Sequence, residues 1–193
     1  MLKIAEILLI CYTLIERSDD VAYPNEFIDY LVQFHGSRDY FECHEILEEY
    51  WKETDPGNKM SHWVGFILLA VSAYHHRRGN FPGAERTARN SLKIMTHTPV
   101  SVIHSLGLDS EQLIQMLEMS INKIEQRQPY ESMNLPINSK ELHEICQSRC
   151  QKKGLDWLHM GQVAEDIIHR HTLRDRSEVI KERAYQKALR ERK

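Results

Sequence analysis

Between residues 24 and 127 apolar side chains recur every three or four positions, and alternating β-branched runs bounded by turn residues are missing. That pattern predicts helices over about 24–34, 38–53, 60–78, 82–97 and 110–127, followed by others over about 139–153, 161–170 and 177–191. Their ends carry residues suited to the place. Asp55-Pro56-Gly57-Asn58 is a turn, Gly79 and Asn80 end one helix, and Pro82 is preset to open the next. Asp109, three residues before Gln112, has the spacing of a capping box. Connections this short favour antiparallel neighbours, so the fold class is all-α: an antiparallel helical bundle with a C-terminal helical extension. The core unit is read as residues 21–128. The stretch QPYESMNLPIN, Gln128 to Asn138, has two prolines and little periodicity, which makes residues 129–193 a linker followed by the extension.

The first residues, MLKIAEILLICYTLIER, carry an apolar run, but Glu6 interrupts it and no small-residue cleavage site follows. The run from Ile4 to Ile15 is also shorter than the ~20 residues that a helix needs to span a bilayer. Leu8, Leu9, Tyr12 and Ile15 suit an amphipathic helix instead, so residues 1–20 are read as an N-terminal helical extension. One coding of Glu16-Arg17-Ser18-Asp19 is a purine-rich ribosome-landing sequence ahead of Val21, which leaves a mis-called start as the alternative.

One amphipathic stretch breaks its own pattern. Residues 40–51, YFECHEILEEYW, set at ~100° per residue, place Tyr40, Cys43, Leu47, Tyr50 and Trp51 on one side, with Phe41 at its margin. Glu42, Glu45, Glu49 and Lys52 form the opposite, solvated arc. His44 and Glu48 fall between Trp51 and Phe41, on the side expected to be buried. An unpaired carboxylate there is costly, so Glu48 needs a donor, a proton or a cation, and His44, one turn away, is the nearest partner. The facing surface is expected from SHWVGFILLAVSAYHHRRG, a helix apolar almost all round, on which His62, Gly65, Leu69, Ser72 and His76 share a stripe. Gly65 and Ser72 admit a close neighbour, and His76 would reach the polar pair. The candidate pocket is therefore His44, Glu48, His76, Glu45 and Ser72, between two helices. Two chemistries fit it. One is a hydrogen-bond network that fixes helix register. The other is a divalent metal on His44, Glu48 and His76, with water as nucleophile and Glu45 assisting proton transfer. The metal reading lacks the Glu-x-x-His pattern of di-iron bundles and the second histidine of HExxH.

The stretch FHGSRDYFECHEILEEYW followed by HWVGFILLAVSAYHHRRGNFPGA resembles the bacterial and archaeal family called domain of unknown function 309, over about Pro24 to His97. His44, Glu45, Glu48, Trp51, Gly65, His75, Gly79, Asn80, Gly83 and Ala84 carry the resemblance. It implies an all-helical fold and no particular reaction. Leu68 stands where many relatives have glutamine. Gly79 to Ala84 could offer free N–H groups to a phosphate, but a helix stop and tight packing account for the same residues.

A net charge of −3 and 41% hydrophobic residues describe a chain with a real core and no overall pull toward nucleic acid or an anionic membrane. Four cysteines without a secreted spacing make a reducing cytoplasm the default location. His143, Cys146 and Cys150 share a helix face, so zinc with His159 or His169 is one reading and core thiols the other. From Arg170 to Lys193 nine basic residues meet four acidic ones, but the mixed signs and single aromatic, Tyr185, argue for an exposed helix rather than an RNA-binding one. These features point to a cytoplasmic helical interaction or adaptor domain, with a protein partner or self-association. The alternative is a metal-assisted hydrolase at the inter-helix His/Glu site.

Overall fold

The protein is described by a computed structural model over residues 23–170. The helices expected within 1–20 and over 177–191 lie outside the described residues, as does the question of a start at Val21. Among the described residues there are eight α-helices and no β-strand, which bears out the all-α reading. None of these helices is long and apolar enough to cross a membrane.

Helix α1, Asn25–Val32, runs into a π-helical turn, Gln33–Ser37, that ends at Arg38 with a left-handed φ of 58°. Helix α2, Tyr40–Thr54, starts at Asp39, whose carboxylate accepts the Glu42 N–H at 3.1 Å. Helix α3, His62–Arg77, buries ten of its 16 residues and is the centre of the bundle, as its all-round apolar sequence requires. It runs antiparallel to α2: Tyr50 meets Trp63 edge-on at 5.1 Å, while the Arg77 guanidinium lies 4.9 Å over the Tyr40 ring.

Gly79, at φ +69°, ends α3 and Pro82 lies in the first turn of helix α4, Phe81–His97, as the sequence predicts, while Asn80, read there as part of the stop, caps α4 by accepting the Gly83 N–H. It packs tightly on α3. The Ser91 hydroxyl donates to the Gly65 carbonyl at 2.7 Å and the Ser72 hydroxyl to that of Ala84 at 2.9 Å. A Cβ added to Gly65 would sit 2.7 Å from Met95 Cε. Helix α5, Val100–Ser105, is an addition to the predicted set, too short to show a period. Helix α6, Ser110–Glu125, lays Ile121 and Ile124 on Ala84 and Ala88 of α4. Asp109 caps α6 through the Gln112 N–H, and the Gln112 side-chain amide reaches back to the other Asp109 carboxylate oxygen at 3.1 Å, while the Asp109 N–H donates to the Pro136 carbonyl.

Residues 128–138 are irregular, as two prolines dictate, yet they form a strap on the core. Leu135 is buried, Leu108 and Ile137 form an isolated antiparallel bridge, and the N–H groups of Asn138 and Ser139 both donate to the Gly107 carbonyl. Helix α7, Lys140–Lys152, then lies against α1, with Leu142, Cys146 and Cys150 in the same apolar cluster as Phe27, Tyr30 and Phe66. A Cβ on Gly36 would be 2.9 Å from Cys150 Sγ, so the π-turn needs glycine where α7 crosses it. The sequence suggests a separate extension here; the structure makes the strap and α7 part of one core. Helix α8, Glu165–Ile168, is a single turn within the longer helix expected over 161–170.

Candidate functional site

Three of the predicted site residues meet on α2. His44 Nδ1 lies 3.1 Å from Glu45 Oε1, and His44 Nε2 lies 3.5 Å from Glu48 Oε2. Lys52, one turn on, holds the other Glu48 oxygen at 3.1 Å, which leaves Oε2 turned to the imidazole. Among the described residues this is the single group of three or more His, Cys, Asp or Glu side chains whose ligand atoms all fall within 4.8 Å.

The expected environment needs correction. The His44 and Glu48 side chains are 29% and 35% exposed, so they line a margin of the bundle and are not shut away between helices. The reason lies in how α2 packs: Tyr40, Cys43 and Leu47 take the buried line, while Phe41, Tyr50 and Trp51 are only partly covered. His76 and Ser72 do not join the group. The small-residue stripe of α3 that carries them faces α4, not α2, because Ser91 and Met95 fill the space that Gly65 leaves. Ser72 is spent on Ala84, and buried His76 bonds through Nε2 to the Gln128 carbonyl at 2.9 Å, edge-on to Tyr130. His75, next to it in the chain, shares a 3.0 Å hydrogen bond with the Asn80 side chain and helps hold the α3–α4 turn.

A second polar constellation was not legible in the sequence. Arg38 is fully buried, and its guanidinium donates to the carbonyls of Phe34, Met133 and His159 and to the Asn134 side chain, at 2.7–3.0 Å. Its own carbonyl accepts from Arg77 at 2.7 Å. Next to it His35, also fully buried, stacks on Trp157 at 4.7 Å and accepts the Leu135 N–H through Nε2 at 3.3 Å. Burial, helped by the charge on Arg38 and by His143, pushes the His35 imidazole down to about 3. Tyr40 and Tyr130 share a short hydroxyl hydrogen bond below this layer. These groups clamp the strap to the core.

The C-terminal thiols form no metal centre with their neighbours among the described residues. Cys146 and Cys150 are fully buried, and burial pushes the Cys146 thiol up to about 12. His143 is engaged elsewhere, its Nε2 accepting the Trp157 indole N–H at 2.9 Å. His159 is carried away by the bond from its N–H to the His35 carbonyl. The basic segment beyond Arg170 lies outside the described residues.

Comparison with known proteins gives the same family that the motif suggests. The profile described as "Domain of unknown function (DUF309)" matches residues 27–87, a span that contains His44, Glu45 and Glu48. The chain is 46% identical over 162 residues to "Uncharacterized protein YpuF" of Bacillus subtilis (strain 168), covering 83% of this chain and 92% of that protein. No solved structure matches it significantly. With a helical core that holds the HE-x-LE-x-x-W segment and a relative alike over nearly its whole length, the chain belongs to the domain of unknown function 309 family.

Proposed function

We propose that α2 carries a divalent-cation site in which His44 Nε2 and Glu48 Oε2 are the protein ligands and Glu45 orients the imidazole. The observation that supports this reading is the division of labour around the ring. A carboxylate stands at each nitrogen, but only one nitrogen can face a given ion. Glu45, at 3.1 Å from Nδ1, is placed as the carboxylate that fixes a metal-bound histidine. Ligand atoms bonded at ~2.0–2.1 Å to a tetrahedral ion lie ~3.4 Å apart. The Nε2 to Oε2 separation of 3.5 Å therefore suits an ion without rearrangement of the helix. One imidazole and carboxylate oxygens suit Zn²⁺ or Mn²⁺. Partial exposure leaves the remaining coordination positions to water, and an ion there would lower the pKa of that water, which is the chemistry of a metal-assisted hydrolase.

Calorimetric titration of the untagged full-length chain with Zn²⁺ and Mn²⁺ tests the reading. One ion per chain is expected, lost in His44→Ala and weakened ~10–100-fold in Glu45→Gln, the usual effect of removing an orienting carboxylate. Equal binding by wild type and His44→Ala would contradict it.

An interaction role rests on a different surface. Met116, Met119 and Met133 line a half-open groove of about 310 Å³ beside His76, and Met119 is 63% exposed. Polarisable, unbranched side chains suit an adaptable protein contact, including a second copy of the chain. Sedimentation equilibrium checks this: a dimer weakened by Met119→Lys supports it, and a monomer at every concentration does not.

A further inference from the structure

A surface groove of about 500 Å³ runs along the solvent side of α2. Phe41 and Ile46 give it an apolar part, and Glu42, Glu45, Glu49 and Asp166 give it four carboxylates. Among the described residues a single cation, Arg170, lines it, and that residue is the last one described. Arg170 pairs with Asp39 and lies 3.8 Å from Glu42 Oε2. Asp39 is the buried cap of α2, and the Arg170 guanidinium is paired with its carboxylate at this end of the helix. The chain thus leaves the described residues at the head of an acidic groove, with its first basic side chain already seated there.

The segment beyond Arg170 has the complementary composition. Residues 171–193 hold eight Lys or Arg against four Asp or Glu, a net of +4, while the protein as a whole is at −3. The same stretch of sequence includes the apolar residues Leu173, Val179 and Ile180. Length is not limiting: α2 has 15 residues and is ~22 Å long, and 23 residues reach ~35 Å even at the helical rise of 1.5 Å per residue.

We infer that residues 171–193 of the same chain occupy the α2 groove, their basic side chains on Glu42, Glu49 and Asp166. The inference does not depend on a metal being bound. Charge holds the contact, so salt weakens it.

Tryptic cleavage of the full-length chain, followed by intact mass in a chelator at low salt, provides the test. The basic residues of 171–193 are the cleavage sites, and a docked segment is cut slowly. The variant Glu42→Gln/Glu49→Gln/Asp166→Asn adds no tryptic site and is expected to be cut within 171–193 at least ~5-fold faster, as is wild type at high salt, where exposed charges are screened. Equal rates in wild type and variant would overturn the inference. So would protection that grows with protein concentration, which would place the segment on a second copy. A thermal melt checks that the variant is folded; if it is not, Asp166→Asn with Glu49→Gln is read in its place, and an unchanged rate there also overturns the proposal.

Discussion

Acidification between about pH 6.5 and pH 5 should loosen this fold through one side chain, His35. The imidazole is fully buried, stacked at 4.7 Å on Trp157, and surrounded by the Arg38 guanidinium and His143. Because Nε2 accepts the Leu135 N–H, the ring proton of the neutral form sits on Nδ1, an atom with no hydrogen-bond partner among the described residues. Nothing nearby welcomes a second proton, and the group is held down to about 3 from an ordinary 6.5. Above pH 6.5 the ring is neutral both folded and unfolded and contributes no pH dependence. Below that value the unfolded chain takes up a proton that the folded chain refuses. Stability therefore falls by about 1.4 kcal/mol per pH unit until the folded-state value near 3 is reached. The loss is about 2 kcal/mol by pH 5, a large part of the 5–15 kcal/mol that a domain usually has. Urea unfolding of wild type and His35→Gln at several pH values isolates the effect. The substitution is expected to lower stability at neutral pH, since stacking and the Leu135 contact suffer, and to flatten the slope on the acid side. Parallel pH profiles for the two proteins, or a histidine resonance assigned to His35 that titrates near 6.5 in the folded state, would refute the reasoning.

Other outcomes rest on the same geometry. Arg38→Met removes the donors that satisfy three carbonyls and a side-chain amide, and should cost about 3–5 kcal/mol in chemical denaturation, with the strap at residues 128–138 becoming sensitive to protease. Arg38→Lys should recover little, because one ammonium cannot reproduce a planar fork of bonds; full recovery would mean that charge alone matters. Cys43, Cys146 and Cys150 are buried with raised pKa values, so at least three of the four thiols should react with a disulfide reagent only after unfolding. Rapid labelling of more than one thiol in the native chain would contradict that burial.

The helices were legible because their signals are local. Gly79 ends α3 and Asp109 caps α6 where the sequence places them, and the near-continuous apolar run of α3 correctly marks a central element; Asp39 and Asn80 also cap helices, a role the sequence reading did not give them. The family segment was legible for the same reason, since HEILE and GNFPGA are contiguous. What was misread required knowing which face meets which neighbour. A helical wheel places His44 and Glu48 beside apolar residues but does not reveal that Gly65 and Ser72 are taken by α4, which turns His76 away from them. The clamp was harder still. Arg38 stands in an ordinary SRD turn, and its partners at Met133, Asn134 and His159 are 95 to 121 residues away in sequence. Two prolines made residues 128–138 resemble a linker, because local sequence records their irregular backbone and not the buried arginine that holds it.

Histidine-ring NMR of the full-length chain under substoichiometric Mn²⁺ tests the central claim most directly, since paramagnetic broadening reports which imidazole lies at the ion. The His44 resonances should vanish first, with buried His76 and His35 unaffected, and Glu48→Gln should abolish the selectivity. Broadening spread evenly over the exposed histidines, or centred on another ring, would contradict a cation site on α2.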